Sequence, residues 1–245
     1  MQQGTSGKVW LVGAGPGDPE LLTLKAARAI AAADLILVDD LVNRAVLAHA
    51  KPAVRVIPVG KRGGLESTAQ AAINDQMIEA ARAGQVVVRL KGGDPFLFGR
   101  GGEEQRELRA AGIEVEVIPG ITSGFAAPMV AGISLTHRDA SPGVVFVTGH
   151  EKDPTSHRID WAALARSHLT LVIYMGITNA SRIEKQLIEA GLDPATPIAA
   201  IQSATLPAQK IARGTLDTLK RTLDESAIAS PAILVIGKVA KLESR

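Results

Sequence analysis

An alternation along the chain restricts its fold more than any other feature. Short β-branched runs at 9–12, 35–39, 54–59, 86–91 and 115–119 are separated by stretches rich in Ala and Leu. Three of these stretches, near 19–33, 67–83 and 102–111, have helical length. The runs are mainly apolar without strict alternation, as strands are when both faces of a sheet are covered. Strand–helix repetition of this kind gives a mainly parallel sheet. In the second half the runs fall at 144–149, 169–175, 197–201, 209–214 and 232–237, with helices near 160–167, 180–190 and 215–224. Run 209–214 follows 197–201 too closely for a crossover helix, so part of this sheet is expected to be antiparallel. Between the halves, "PGITSG" (119–124) reads as a hinge. The expectation is an α/β protein of two domains, 1–119 and 120–245, with a cleft between them.

Composition narrows the function. Aromatic residues make up 3% of the chain, too few for the stacking platforms of single-stranded nucleic-acid binding. Net charge is +2 with no basic stripe, so no nucleic-acid partner is expected. With no cysteine, disulfides, thiolate metal sites and a cysteine nucleophile are excluded. His137 and His150 have no companion at ligand spacing, so no metal is expected. No apolar run approaches the ~20 residues of a membrane span, and "MQQGTSGK" lacks the apolar core of a signal peptide. The expected location is the cytoplasm.

Two strand-end turns carry most of the functional signal. "VWLVGAGPGD" (9–18) supplies Gly13 and Gly15 at the first two positions of the dinucleotide fingerprint G-x-G-x-x-G, but Asp18 at the third. A carboxylate there opposes pyrophosphate, and Pro16 has no N–H to offer one. Asp39 and Asp40 stand near the offset of a ribose-binding acid. "RLKGGDPFLFGRGGEE" (89–104) again sets a Gly-Gly pair before Asp94-Pro95. Two such turns suit one ligand approached by backbone from two sides. An adenosine compound without phosphates fits, such as S-adenosylmethionine, whose positive sulfonium favours carbonyls and carboxylates over helix N-termini. The plainer alternative is a pair of tight turns, with Asp94 capping the next helix.

Together "VGAGPGDPELLTLKA", "VDDLV", "VGKRGG", "VRLKGGDPFLFGRGGEE", "PGITSGFAAPMVAGISLTHRD", "VTGH" and "YMGI" resemble the uroporphyrinogen-III C-methyltransferases, a branch of the tetrapyrrole methylase family. The motifs occur in order over nearly the whole chain. The resemblance implies a two-domain, non-Rossmann methyltransferase fold with an interdomain cleft, and a homodimer. It implies methylation of uroporphyrinogen III at C2 and then C7 by S-adenosylmethionine, giving precorrin-2 by way of precorrin-1, with S-adenosylhomocysteine as co-product. That product feeds sirohaem, cobalamin and haem d1 synthesis. By similarity, Pro16, Gly92, Gly93, Asp94, Leu97, Thr122, Ser123, Met175 and Ala204 hold the cofactor. Ser123 stands where relatives often have Ala, and Ala204 where Gly is common. Arg100, Glu103 and Arg138 face the substrate, while Asp39 and Lys61 match positions proposed as proton acceptor and donor.

Two residues compete for the role of base. Arg100 lies in the loop nearest the expected transfer site, yet an arginine is normally fully protonated. Asp39 is a carboxylate at a strand end, where α/β sheets place ligands. Arg100 is better suited to gripping one of the substrate's eight carboxylates. Each candidate has a plainer role: Glu103 in a helix's first turn, Arg138 paired with Asp139, Lys61 in a charged turn, Met175 in the core. Two rival functions stand beside methyl transfer: an NAD-linked oxidoreductase built on Gly13, Gly15 and Asp39, and a macrocycle-binding protein without catalysis.

Overall fold

In the computed structural model, which describes residues 7–60, 70–150 and 159–241, the chain divides into two compact units, Met1–Thr122 and Ser123–Arg245. The division falls a few residues beyond the expected 119.

The first unit holds five strands: β1 (Lys8–Gly13), β2 (Leu35–Val38), β3 (Arg55–Pro58), β4 (Val86–Lys91) and β5 (Glu114–Ile118). They lie in the order β3-β2-β4-β1-β5, and every pairing is parallel. One face packs on α1 (Leu24–Ala32), which buries Ala26, Ala29 and Ile30 at helical spacing. The other packs on α2 (Gln70–Arg82) and α3 (Gly101–Ala110) through Met77 and Leu108. A parallel sheet brings all its strand C-termini to one edge, so the loops after β1, β2, β4 and β5 share that edge.

The expected helix at 19–33 is broken in two. Pro19–Leu21 form a single 3-10 turn, Leu22 and Thr23 return to extended backbone, and the Thr23 hydroxyl caps α1 by accepting from the Ala26 N–H at 3.1 Å.

The second unit is a mixed sheet of order β6-β7-β10-β8-β9: β6 (Val144–Thr148), β7 (Thr170–Tyr174), β8 (Pro197–Gln202), β9 (Lys210–Thr215) and β10 (Ala232–Ile236). β6 and β7 are parallel. β10 runs antiparallel to both β7 and β8, and β9 runs antiparallel to β8, as its spacing required. α5 (Trp161–Arg166), α6 (Ala180–Glu189) and α7 (Leu219–Glu225) cover one face.

One element differs from the expectation. The stretch read as a hinge, 119–124, runs directly into α4 (Ser123–Val130), which has Pro128 inside it and Gly124, Ala126, Ala127 and Pro128 buried. Gly and Pro mask a helix in sequence, and its small buried residues give no apolar stripe. The helix start is held instead by the Gly124 N–H donating to the Tyr174 hydroxyl at 2.7 Å.

Candidate functional site

Three loops of the first unit are tied together at the strand-end edge. Gly15 and Gly93 exchange backbone hydrogen bonds, Gly93 N–H to Gly15 O at 2.7 Å and Gly15 N–H to Gly93 O at 3.2 Å. The Ala14 N–H donates to Lys91 O at 2.8 Å. Asp94 then clamps the third loop: its Oδ2 accepts from the Gly120 N–H at 3.1 Å and its Oδ1 from the Phe96 N–H at 2.8 Å. The loops meet at glycines because nothing larger fits. A Cβ on Gly13 would lie 2.5 Å from the Gly120 nitrogen, and one on Gly120 would overlap the Gly93 carbonyl oxygen.

This closure answers the phosphate question. The amides of Ala14, Gly15 and Gly93 are engaged within the protein, and Pro16 has none. The Asp18 carboxylate caps the 3-10 turn by accepting from the Glu20 N–H at 2.9 Å, and α1 begins only at Leu24. Neither a glycine nest nor a helix N-terminus faces outward here, so the dinucleotide reading loses its physical basis. Asp94 is likewise no helix cap: the residue before α3 is Arg100.

Arg100 holds left-handed backbone, φ 60°, as does Phe98 at φ 55°. Such conformations in residues with a Cβ cluster at functional loops. Glu103, in the first turn of α3, accepts from Arg100 Nη2 at 2.6 Å and Nε at 3.0 Å. This contact holds the Arg100 guanidinium protonated more firmly than usual, which weakens the case for Arg100 as a base.

Asp39 closes β2 and is the exposed end of a buried charge cluster. Arg89 and Lys91, two apart on β4, project from one face of the strand. Arg89 donates through Nη2 to Asp39 Oδ1 at 2.5 Å and through Nε to Glu104 Oε1 at 3.1 Å. Lys91 Nζ lies 3.2 Å from Glu104 Oε1 and 3.6 Å from Asp39 Oδ2. Burial pushes the Lys91 ammonium below its ordinary pKa, the neighbouring Arg89 adds to this, and the two carboxylates oppose it. Sequence reasoning passed over Arg89, Lys91 and Glu104. Their signal was two cations at i, i+2 in an otherwise apolar strand, with Glu104 sharing α3's buried stripe with Leu108.

In the second unit, Met175 follows β7 and Ala204 follows β8. These strands run parallel with β10 between them, so both residues stand at one edge. Met175 is left-handed, φ 52°, and Ser203 and Thr205 flank Ala204 with φ 48° and 69°. Ser123 joins this edge through Gly124 and its bond to Tyr174, the residue before Met175. Arg138 does not. It sits in a turn closed by the His137 N–H to Ser141 O bond, and Ser141 Oγ accepts from the Thr170 N–H at 2.9 Å, at the start of β7. That is the opposite edge of the sheet, beside an open depression of about 500 Å³ lined by His137, Asp139, Lys238 and Lys241 among others. Thr122 ends the first unit, while Pro16 and Leu97 are part-buried in its strand-end loops. Lys61 lies outside the described residues. Among the described residues no three His, Cys, Asp or Glu side chains are grouped as metal ligands, and no helix is long and apolar enough to cross a membrane.

An all-parallel five-strand unit followed by a mixed five-strand unit is an α/β methyltransferase architecture shared with known proteins. The model of the tetrapyrrole (corrin/porphyrin) methylases matches residues 8–220, and the chain belongs to that family. The Pseudomonas aeruginosa uroporphyrinogen-III C-methyltransferase is 52% identical over 236 residues, 96% of this chain and 95% of that protein. A Thermus thermophilus uroporphyrin-III C-methyltransferase solved in complex with S-adenyl homocysteine superposes with a TM-score of 0.81 at 39% identity, covering 96% of this chain and 94% of that one. A cobalt precorrin-4 methyltransferase shares the fold at a TM-score of 0.88 and 29% identity, over 99% of both chains.

Proposed function

We propose that the chain is an S-adenosylmethionine-dependent uroporphyrinogen III methyltransferase, acting at C2 and then C7 to give precorrin-2 by way of precorrin-1. It works as a homodimer in the cytoplasm. The observation that carries the reading is the bonded edge of the first unit, where the amides of Ala14, Gly15, Gly93 and Gly120 are engaged and the Asp94 carboxylate remains. The residues present fit the cofactor. Each Asp94 oxygen accepts one amide and keeps a lone pair for a ribose hydroxyl. Pro16, Gly92, Gly93, Leu97 and Thr122 are the cofactor residues of the first unit, and Ser123, Met175 and Ala204 those of the second. When bound, S-adenosylmethionine supplies an electrophilic methyl group on sulfur.

The chain's own residues bind, orient and move a proton. Arg100, kept charged by Glu103, grips a substrate carboxylate in bidentate fashion. Glu103 orients Arg100. Asp39 takes the proton that the methylated ring releases, and Lys61 is the second residue assigned to proton handling. The test is anaerobic incubation with uroporphyrinogen III and S-adenosylmethionine, reading product mass. Addition of two methyl groups is the expected result. Tight S-adenosylhomocysteine binding without transfer would move the substrate elsewhere in the family.

A further inference from the structure

Glu104 is fully buried, yet its charge reaches the surface through two intermediaries. The side chains of Arg89 and Lys91 are 3% and 4% exposed, and Asp39, at the end of the series, is 30% exposed. Each cation touches both carboxylates. Glu104 Oε1 accepts from Arg89 Nε, from Lys91 Nζ and from Gln70 Nε2 at 3.0 Å, three donors on one oxygen. Its Oε2 has no hydrogen-bond partner among the described residues. Both Asp39 oxygens face a cation, which leaves its carboxylate little freedom to rotate. Four charges at one strand end sum to zero, and removing Glu104 would leave two buried cations dependent on Asp39 alone. A cluster needed only for packing would be replaced without loss by apolar side chains. This one ends on the residue to which the proton step is assigned.

We propose that Glu104 is a positioning residue for methyl transfer: through Arg89 and Lys91 it fixes the orientation of the Asp39 carboxylate at the strand-end edge. The inference rests on the reading above, in which Asp39 accepts the ring proton. Gln70 supports the device from α2, because it bonds both Glu104 and, at 3.2 Å, Asn74 Oδ1 one turn along.

A double-mutant cycle separates positioning from bulk stability, since residues acting through one another lose additivity. Methyl transfer to uroporphyrinogen III is measured for the wild-type chain, Asp39→Asn, Glu104→Gln and the double variant, with calorimetric binding of S-adenosylhomocysteine to each. Each single change is expected to lower kcat on the order of tenfold or more, with the affinity for S-adenosylhomocysteine within about twofold of wild type. The double variant should be no slower than the slower single variant. Should Glu104→Gln not fold, Arg89→Lys keeps the buried charge but loses the fork that spans both carboxylates, and it should show the same kcat loss and the same non-additivity with Asp39→Asn. Losses that multiply in the double variant, or a Glu104→Gln enzyme with wild-type kcat, overturn the inference. An Asp39→Asn enzyme with wild-type kcat overturns the role of Asp39 and the inference together. A wild-type chain that transfers no methyl overturns the functional reading itself.

Discussion

The two units solve the same problem differently. In the first, the loops after β1, β4 and β5 share one edge and bond to one another: Gly15 to Gly93, and Asp94 to Gly120. In the second, β10 separates β7 from β8, and the turns after them are held by other neighbours. Gly149 N–H donates to Tyr174 O at 2.6 Å, and Thr205 N–H to the Gln209 side chain at 2.9 Å. Beneath its edge the first unit buries Arg89, Lys91, Glu104 and Asn74, whereas the buried polar side chains of the second, among the described residues, are Ser141 and Thr170. The difference assigns the work. The first unit carries fixed buried charge, on which the proposed proton step rests. The second offers backbone, the small buried side chain of Ala204 and the exposed apolar Met175.

The largest effect that would break this comparison comes from the charge cluster. Glu104→Ala leaves uncompensated buried cations and should cost about 3–5 kcal/mol. Thr170→Val in the second unit removes a buried hydroxyl that lacks a hydrogen-bond partner among the described residues. It should be neutral or stabilising by up to about 1 kcal/mol. Urea unfolding of both variants checks the pair, and equal destabilisation would erase the contrast.

Next comes the glycine edge. Gly120→Ala drives a methyl group into the Gly93 carbonyl, costing about 1–3 kcal/mol of stability. The larger consequence should be functional, a drop in S-adenosylhomocysteine affinity measured by calorimetry. Met175→Gly then tests the second unit. Relief of left-handed strain, about 1–2 kcal/mol, offsets the greater freedom of glycine in the unfolded chain, about 0.5–1 kcal/mol. Stability should stay near wild type while methyl transfer falls, a separation that a packing role for Met175 would not give.

The smallest effect is at the far edge of the first unit. The Lys51 ammonium and the Val86 N–H hold the Asp34 carboxyl below its ordinary pKa. A lowered carboxyl stabilises the fold above its unfolded value of 3.8, and that contribution is lost as pH falls through the folded value. Because this ion pair is exposed, Asp34→Asn should only slightly flatten the loss of stability below about pH 4 in acid unfolding.

Much of this was legible in the chain. The apolar runs mark all ten strands, and β4 occupies the expected span 86–91. The failed dinucleotide fingerprint at Asp18 and Pro16 already argued against phosphate, and the structure adds where the nearby amides go. Other features depend on which elements become neighbours. That Gly120 would meet Gly13 follows from β5 pairing with β1, which no local pattern encodes. The break before α1 turns on Thr23 acting as a cap, and α4 was hidden by Gly124 and Pro128. The charge cluster was partly legible, because cations inside an apolar strand require buried anions. Which acid answers them depends on the packing of α3.

The most direct test of the account is calorimetric titration of the full chain with S-adenosylhomocysteine and, in parallel, with NAD. The glycine edge, with its amides engaged and the Asp94 carboxylate at its centre, predicts saturable binding of S-adenosylhomocysteine and none of NAD. Binding of NAD without S-adenosylhomocysteine would mean that these loops had been misread.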